Sequence, residues 1–144
     1  RDYHEPAVLE LAPSHLLGLH RVADPKGPRG LLWRNESFDS GRTWTRPQRT
    51  TIRSGACPRL LKLRDGRLLL TYGRRFEPFG LYASLSTDDG QTWGATSWLL
   101  RPTPDGDQGY TSSIELDDGQ IFTASYAKNS RNITGITGTF WRLP

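Results

Sequence analysis

The chain has 144 residues, with 15 Gly, 10 Pro, 5 Trp and no Met, a composition that suits many short strands joined by turns and leaves little for helix. The net charge is +4 and the cations are mostly arginine, whose planar forks fit carboxylate or phosphate, so an anionic ligand accords with the sequence. No basic run is interleaved with aromatics as a nucleic-acid groove requires, no apolar segment approaches the length of a membrane span, and the single Cys57 excludes an intrachain disulfide.

In chain order, Val8 to Leu19 reads as a strand pair with a degraded turn, Leu31 to Arg34 as a third strand, and Ser37-Phe38-Asp39-Ser40-Gly41-Arg42-Thr43-Trp44 as a tight turn before a fourth. The pattern then repeats. Leu61 to Leu70 is a strand pair about Asp65-Gly66, among the best short hairpin signals. Gly80 to Leu85 is a third strand, and Ser86-Thr87-Asp88-Asp89-Gly90-Gln91-Thr92-Trp93 is the second copy of the tight turn. A third unit keeps a strand pair, Ile114 to Tyr126 about Asp118-Gly119, and a later strand, Gly138 to Arg142, without the tight turn. Units therefore run at about 1–50, 51–100 and 101–144 within one domain, with Pro/Gly-rich linkers at Asp24 to Pro28 and Pro102 to Gly106.

Both tight turns read Ser-x-Asp-x-Gly-x-Thr-Trp, offset by 86 − 37 = 49 residues. Asp39 and Asp88 are placed to accept amide hydrogen bonds from their own turns, Gly41 and Gly90 to take positive φ, and each Trp to plug the space beneath. A period of roughly 50 residues indicates a propeller or solenoid. The pattern is the Asp-box, which resembles the repeat of sialidase-type β-propellers and of several unrelated β-proteins. The expected fold is all-β, a sialidase-like propeller segment of about three four-stranded blades, half of a six-bladed ring.

Four residues fall at hairpin edges, where blades surround a propeller axis: Glu5 before Pro6, Arg21 after His20, Arg75 after Arg74, and Tyr110 after Gly109. Here the chain resembles the C-terminal half of a sialidase (neuraminidase) over nearly its whole length. The resemblance implies that Arg21 and Arg75 are the second and third arginines of a carboxylate-binding triad, that Tyr110 is the nucleophile, and that Glu5 is its activating base. The chemistry is coherent. Sialic acid carries a carboxylate on its anomeric carbon, which repels an anionic nucleophile and not a phenol, and sialidases are a tyrosine exception among glycosidases. A phenol with an ordinary pKa of about 10 needs a base beside it.

Strand alternation lets only one of Arg74 and Arg75 face the axis. Asp107 reads as a loop cap, Cys57 as a small buried hydrophobe, and His4 and His20 lack the third ligand that a metal site needs. The chain departs from the family pattern in three places. It has no first triad arginine and no acid/base aspartate, Tyr126 is followed by Ala127 where the family often has Glu, and Thr111 stands where Ser or Pro is usual. The resemblance implies an exo-glycoside hydrolase acting on sialic-acid-type or other acidic glycans without cofactor, secreted or periplasmic if bacterial. Because the chain starts at Arg1 and not at Met, the lack of a visible signal peptide is uninformative. The alternative is a non-catalytic Asp-box module, glycan-binding or structural. Half a ring also leaves edges uncovered, so self-association or pairing with another half is expected.

Overall fold

The computed structural model describes residues 2–23, 30–94 and 97–143; the expected linker at Asp24 to Pro28 lies outside them. It contains eleven strands in three antiparallel sheets. The first is β1 (Asp2–Ala12), β2 (His15–Ala23), β3 (Leu31–Ser37) and β4 (Gln48–Arg53); the second is β5 (Arg59–Lys62), β6 (Leu68–Arg74), β7 (Gly80–Ser86) and β8 (Trp98–Pro102). The third holds β9 (Gly109–Glu115), β10 (Ile121–Lys128) and β11 (Thr134–Trp141), so among the described residues two blades have four strands and one has three. Each is a simple meander. The first strands β1, β5 and β9 lie side by side, which makes them the axial strands and β5 the middle one.

Blades are joined by the two faces of β6. Its alternation sends Leu68, Leu70 and Tyr72 into a cluster with Leu17, Leu19 and Leu32 of the first blade, and Leu69 into a second cluster with Ile121 of the third. On that second face Thr71 Oγ1 bonds Thr111 Oγ1 (3.0 Å) and Ser113 Oγ (3.1 Å), so the second seam carries hydroxyls where the first carries leucine. Thr111, a departure from the family pattern, is thereby explained: its hydroxyl is fully buried and paired between blades.

The repeated turns behave as their chemistry demands. In the second, Ser86 Oγ donates to Asp88 Oδ1 (2.7 Å) and accepts from the Gly90 amide (2.9 Å), while Asp88 accepts from the Thr92 amide (2.9 Å) and hydroxyl (2.5 Å). The first copy repeats these bonds through Ser37, Asp39, Gly41 and Thr43. Gly41 and Gly90 have φ of 86° and 76°. The tryptophans differ. Trp93 is 6% exposed and sits in the seam between the first two blades, whereas Trp44 is 38% exposed and donates its indole N–H to the Gly41 carbonyl (3.1 Å). The strand expected at Gly138 instead begins at Thr134, because Asn129 Oδ1 accepts the Arg131 and Ile133 amides and Asn132 takes a φ of 59°, closing a tight turn.

Ser86→Ala removes the acceptor of a buried amide and is expected to cost about 1–3 kcal/mol, read from urea unfolding. Bonds from Thr43 and Ser37 hold the Asp39 carboxyl below its usual range. At Asp88 burial pushes upward but the Thr92 and Ser86 bonds outweigh it, so that pKa is lowered too. A depressed carboxylate stabilises the fold above its unfolded pKa and loses that contribution as pH falls through its folded value. The melting temperature is therefore expected to fall below about pH 4, and to fall less steeply in Asp88→Asn.

Candidate active site

Glu5 and Tyr110 come from non-adjacent blades, and both sit where a strand carries one residue too many. Between the pairs His4–Arg21 and Ala7–Leu19, β1 advances three residues (7 − 4) and β2 two (21 − 19). Between Ser112–Ala124 and Gly109–Tyr126, β9 advances three (112 − 109) and β10 two (126 − 124). Such bulges re-aim a side chain that simple alternation would point elsewhere. Each bulge puts a non-glycine residue at a φ of 50°, Glu5 in one and Tyr110 in the other, a strained region that other contacts must hold.

The two side chains meet. The Tyr110 hydroxyl donates to Glu5 Oε1, and Glu5 Oε2 lies 3.2 Å from Arg21 Nε. Glu5 thus bridges a phenol and a guanidinium. The Glu5 hydrogen bond, with burial and the Glu5 charge, pushes the Tyr110 pKa up, while Arg75 and Arg21 oppose it. At neutral pH the phenol is therefore protonated, with its proton already held by a carboxylate.

Arg75 completes the group. Its Nη2 donates to the Tyr126 hydroxyl (3.0 Å) and to the Gln108 carbonyl (3.4 Å), and among the described residues no carboxylate pairs with it. Tyr126 in turn donates to Asp107 Oδ1 (3.2 Å), and its ring lies 5.8 Å from that of Tyr110. Lys128 Nζ holds Asp107 (3.2 Å) and Asp105 (3.0 Å). Arg74 instead donates to the Glu77 carbonyl and lies over the Tyr82 ring. Asp107 serves Lys128 and Tyr126 more than its own loop. Tyr126, Lys128 and Asp105 are the neighbours that sequence reasoning missed. Their signal was the alternation of β10, which puts Tyr126 and Lys128 on one face.

The floor of the group is the middle blade. Cys57 is 2% exposed, and burial pushes its thiol pKa up, which makes it a poor nucleophile. Gln108 is fully buried, and its Nε2 donates to the Arg74 carbonyl (2.9 Å), fastening the third blade to the second. Of the histidines, His20 bonds Asn35 Oδ1 (2.7 Å), and among the described residues no cluster of His, Cys, Asp and Glu is arranged to hold a metal ion.

The sequence model of the BNR repeat-like domain matches residues 1–123, and the chain belongs to that family. A protein of unknown function from Dyadobacter fermentans DSM 18053 superposes with a TM-score of 0.84 at 24% identity, over 99% of this chain and 39% of that one. The endo-arabinase of Bacteroides thetaiotaomicron VPI-5482 gives 0.73 at 17% identity, over 97% of this chain and 56% of the other. The NanB sialidase of Streptococcus pneumoniae gives 0.69 at 16%, over 96% and 23%. At these identities the likeness is one of fold, the β-propeller architecture of glycoside hydrolases, and the chain spans less than two thirds of each of these proteins. No curated protein sequence matches it.

Glu5→Gln replaces the carboxylate whose hydrogen bond and charge raise the Tyr110 pKa. Tyr110 is then expected to titrate lower, toward the ordinary phenol value of about 10 or below it, as followed by NMR of tyrosine labelled with carbon-13 at Cζ. An unchanged titration would show that the two groups do not share the proton in solution.

Proposed function

We propose that the chain carries the nucleophile side of a sialidase-like exo-glycoside hydrolase that removes terminal sialic acid from glycoconjugates. The observation that carries this reading is the Tyr110–Glu5 contact made across the middle blade, with Arg21 on the second Glu5 oxygen. Tyr110 attacks the anomeric carbon as Glu5 takes the phenol proton, giving a glycosyl-tyrosine that water then hydrolyses with retention. Being neutral, the phenol approaches a carbon that bears a carboxylate without repulsion. Arg75, with no carboxylate partner among the described residues, receives the substrate carboxylate; Arg21 shares that task while holding Glu5.

Departure of the leaving group needs a proton. The other carboxylates tied to the site, Asp105 and Asp107, are paired with Lys128, so the general acid is assigned to a part of the propeller beyond these blades. That assignment leaves this chain alone short of a catalytic contribution of about 10²–10⁴-fold. The same lack of an acid favours the second reading, a glycan-binding module without turnover.

In the parent protein, Tyr110→Phe is expected to lower hydrolysis of a fluorogenic sialoside by about 10³-fold or more. Arg75→Ala is expected to raise KM for that substrate with a smaller effect on an arabinofuranoside, and Arg75→Lys to rescue it poorly. Near-normal turnover by Tyr110→Phe contradicts the assignment, while hydrolysis of the arabinofuranoside alone contradicts the sugar. The exposed Ile133, Ile136 and Phe140 at the last strand support a surface made to meet another blade. The isolated chain is accordingly expected to self-associate in light scattering, and a monodisperse monomer would contradict this.

A further inference from the structure

The position of Cys57 in the repeat is informative. Counting back six residues from the equivalent hairpin leucines (11 − 5, 63 − 57, 116 − 110) gives Glu5, Cys57 and Tyr110. The middle copy also carries one residue too many, as the outer two do, although its positive φ falls on Gly55 and not on Cys57. Between the bridge Gly55–Arg74 and the pair Arg59–Thr71, the Cys57 side advances four residues (59 − 55) and β6 three (74 − 71), the same surplus of one.

Because β5 stands between β1 and β9, Cys57 is the middle-blade residue at the level where Glu5 from one side and Tyr110 from the other come together. Its Sγ lies 3.7 Å from the Glu5 carbonyl oxygen and 3.5 Å from that of Pro58. Beside it, Gly109 is packed so closely that an added Cβ would stand 3.3 Å from the Ala56 Cβ. The thiol thus lies against the backbone of Glu5 itself. Side chains from non-adjacent blades can meet only if the blade between them presents something small at that level. A long side chain fills the gap, and a carboxylate repels Glu5.

We propose that Cys57 is a positioning residue, whose small uncharged side chain keeps open the gap across which Tyr110 and Glu5 form their hydrogen bond. This deepens the reading of Tyr110 as a nucleophile and rests on it for its functional meaning, while the geometry stands alone. The thiol touches no reacting atom; it acts through the pair above it.

The test is the titration of Tyr110 in the purified chain, read from its carbon-13 Cζ resonance and assigned by loss of the signal in Tyr110→Phe. Cys57→Ser and Cys57→Ala are expected to leave the raised titration of Tyr110 in place. Cys57→Leu is expected to bring it down to about 10, with near-UV circular dichroism retained; if that variant does not fold, Cys57→Val and Cys57→Thr supply graded smaller wedges. A folded Leu, Val or Thr variant in which Tyr110 titrates as in the wild type overturns the proposal, as does a Ser or Ala variant that shifts as far as Leu. Because the readout uses no substrate, its failure is separable from failure of the proposed reaction. The expected shift in a protein that never hydrolyses sialosides keeps the positioning role and rejects the reaction; sialoside turnover without the shift does the reverse.

Discussion

Strand β6 has no solvent face, and the arrangement of the molecule follows from that. A strand buried on both sides must match two neighbours at once, and the sequence Leu68-Leu69-Leu70-Thr71-Tyr72-Gly73 does so by sending alternate residues to the first and third blades. The three blades are therefore held through both faces of one strand, with further bonds between blades at Lys62–Leu11, Arg34–Gln91 and Arg64–Asp117. Close approach at its end is equally demanding: an added Cβ on Gly73 would fall 2.4 Å from Gln108 Oε1, so only glycine lets the third blade seat there. Since Gln108 directly precedes Gly109 and Tyr110, the packing of β6 also determines where the phenol stands.

The electrostatics of the site follow from that placement. Glu5 has two oxygens with opposite duties, one accepting from a neutral phenol and one facing a guanidinium. Held by Arg21, the carboxylate keeps its orientation while serving as acceptor, and Arg75 is kept at its station by a neutral tyrosine and a backbone carbonyl. A guanidinium anchored by neutral groups retains its charge for a ligand, whereas one anchored by a carboxylate is partly neutralised. The two arginines, equivalent in a family resemblance, are thus unequal here. The ion pair of Lys128 with Asp105 and Asp107 sets a second boundary, withdrawing the remaining carboxylates from the phenol.

Much of this was legible in the sequence, for identifiable reasons. The Asp-boxes were readable because every hydrogen bond in them is made within eight consecutive residues, so local spacing determines the turn. The Asp-Gly hairpins were readable for the same reason. Glu5, Arg21, Arg75 and Tyr110 were singled out by their places at hairpin edges and by a family resemblance, and of these Tyr110, Glu5 and Arg21 are in direct contact. Bulges were not readable: nothing in Glu5-Pro6 or Tyr110-Thr111 announces a positive φ on a non-glycine residue, since that conformation is imposed by the pairing partner. Tyr126 and Lys128 escaped because their roles come from loop residues about twenty positions away.

The central claim is that Tyr110 is a nucleophile and not a packing aromatic, and covalent trapping tests it most directly. The parent protein would be treated with a sialic acid analogue that forms a slowly hydrolysed glycosyl-enzyme, digested, and mapped by mass spectrometry. The account predicts one adduct, on the peptide containing Tyr110, absent in Tyr110→Phe and diminished in Glu5→Gln. A protein that binds the analogue without forming an adduct, or that carries it on another residue, would contradict it.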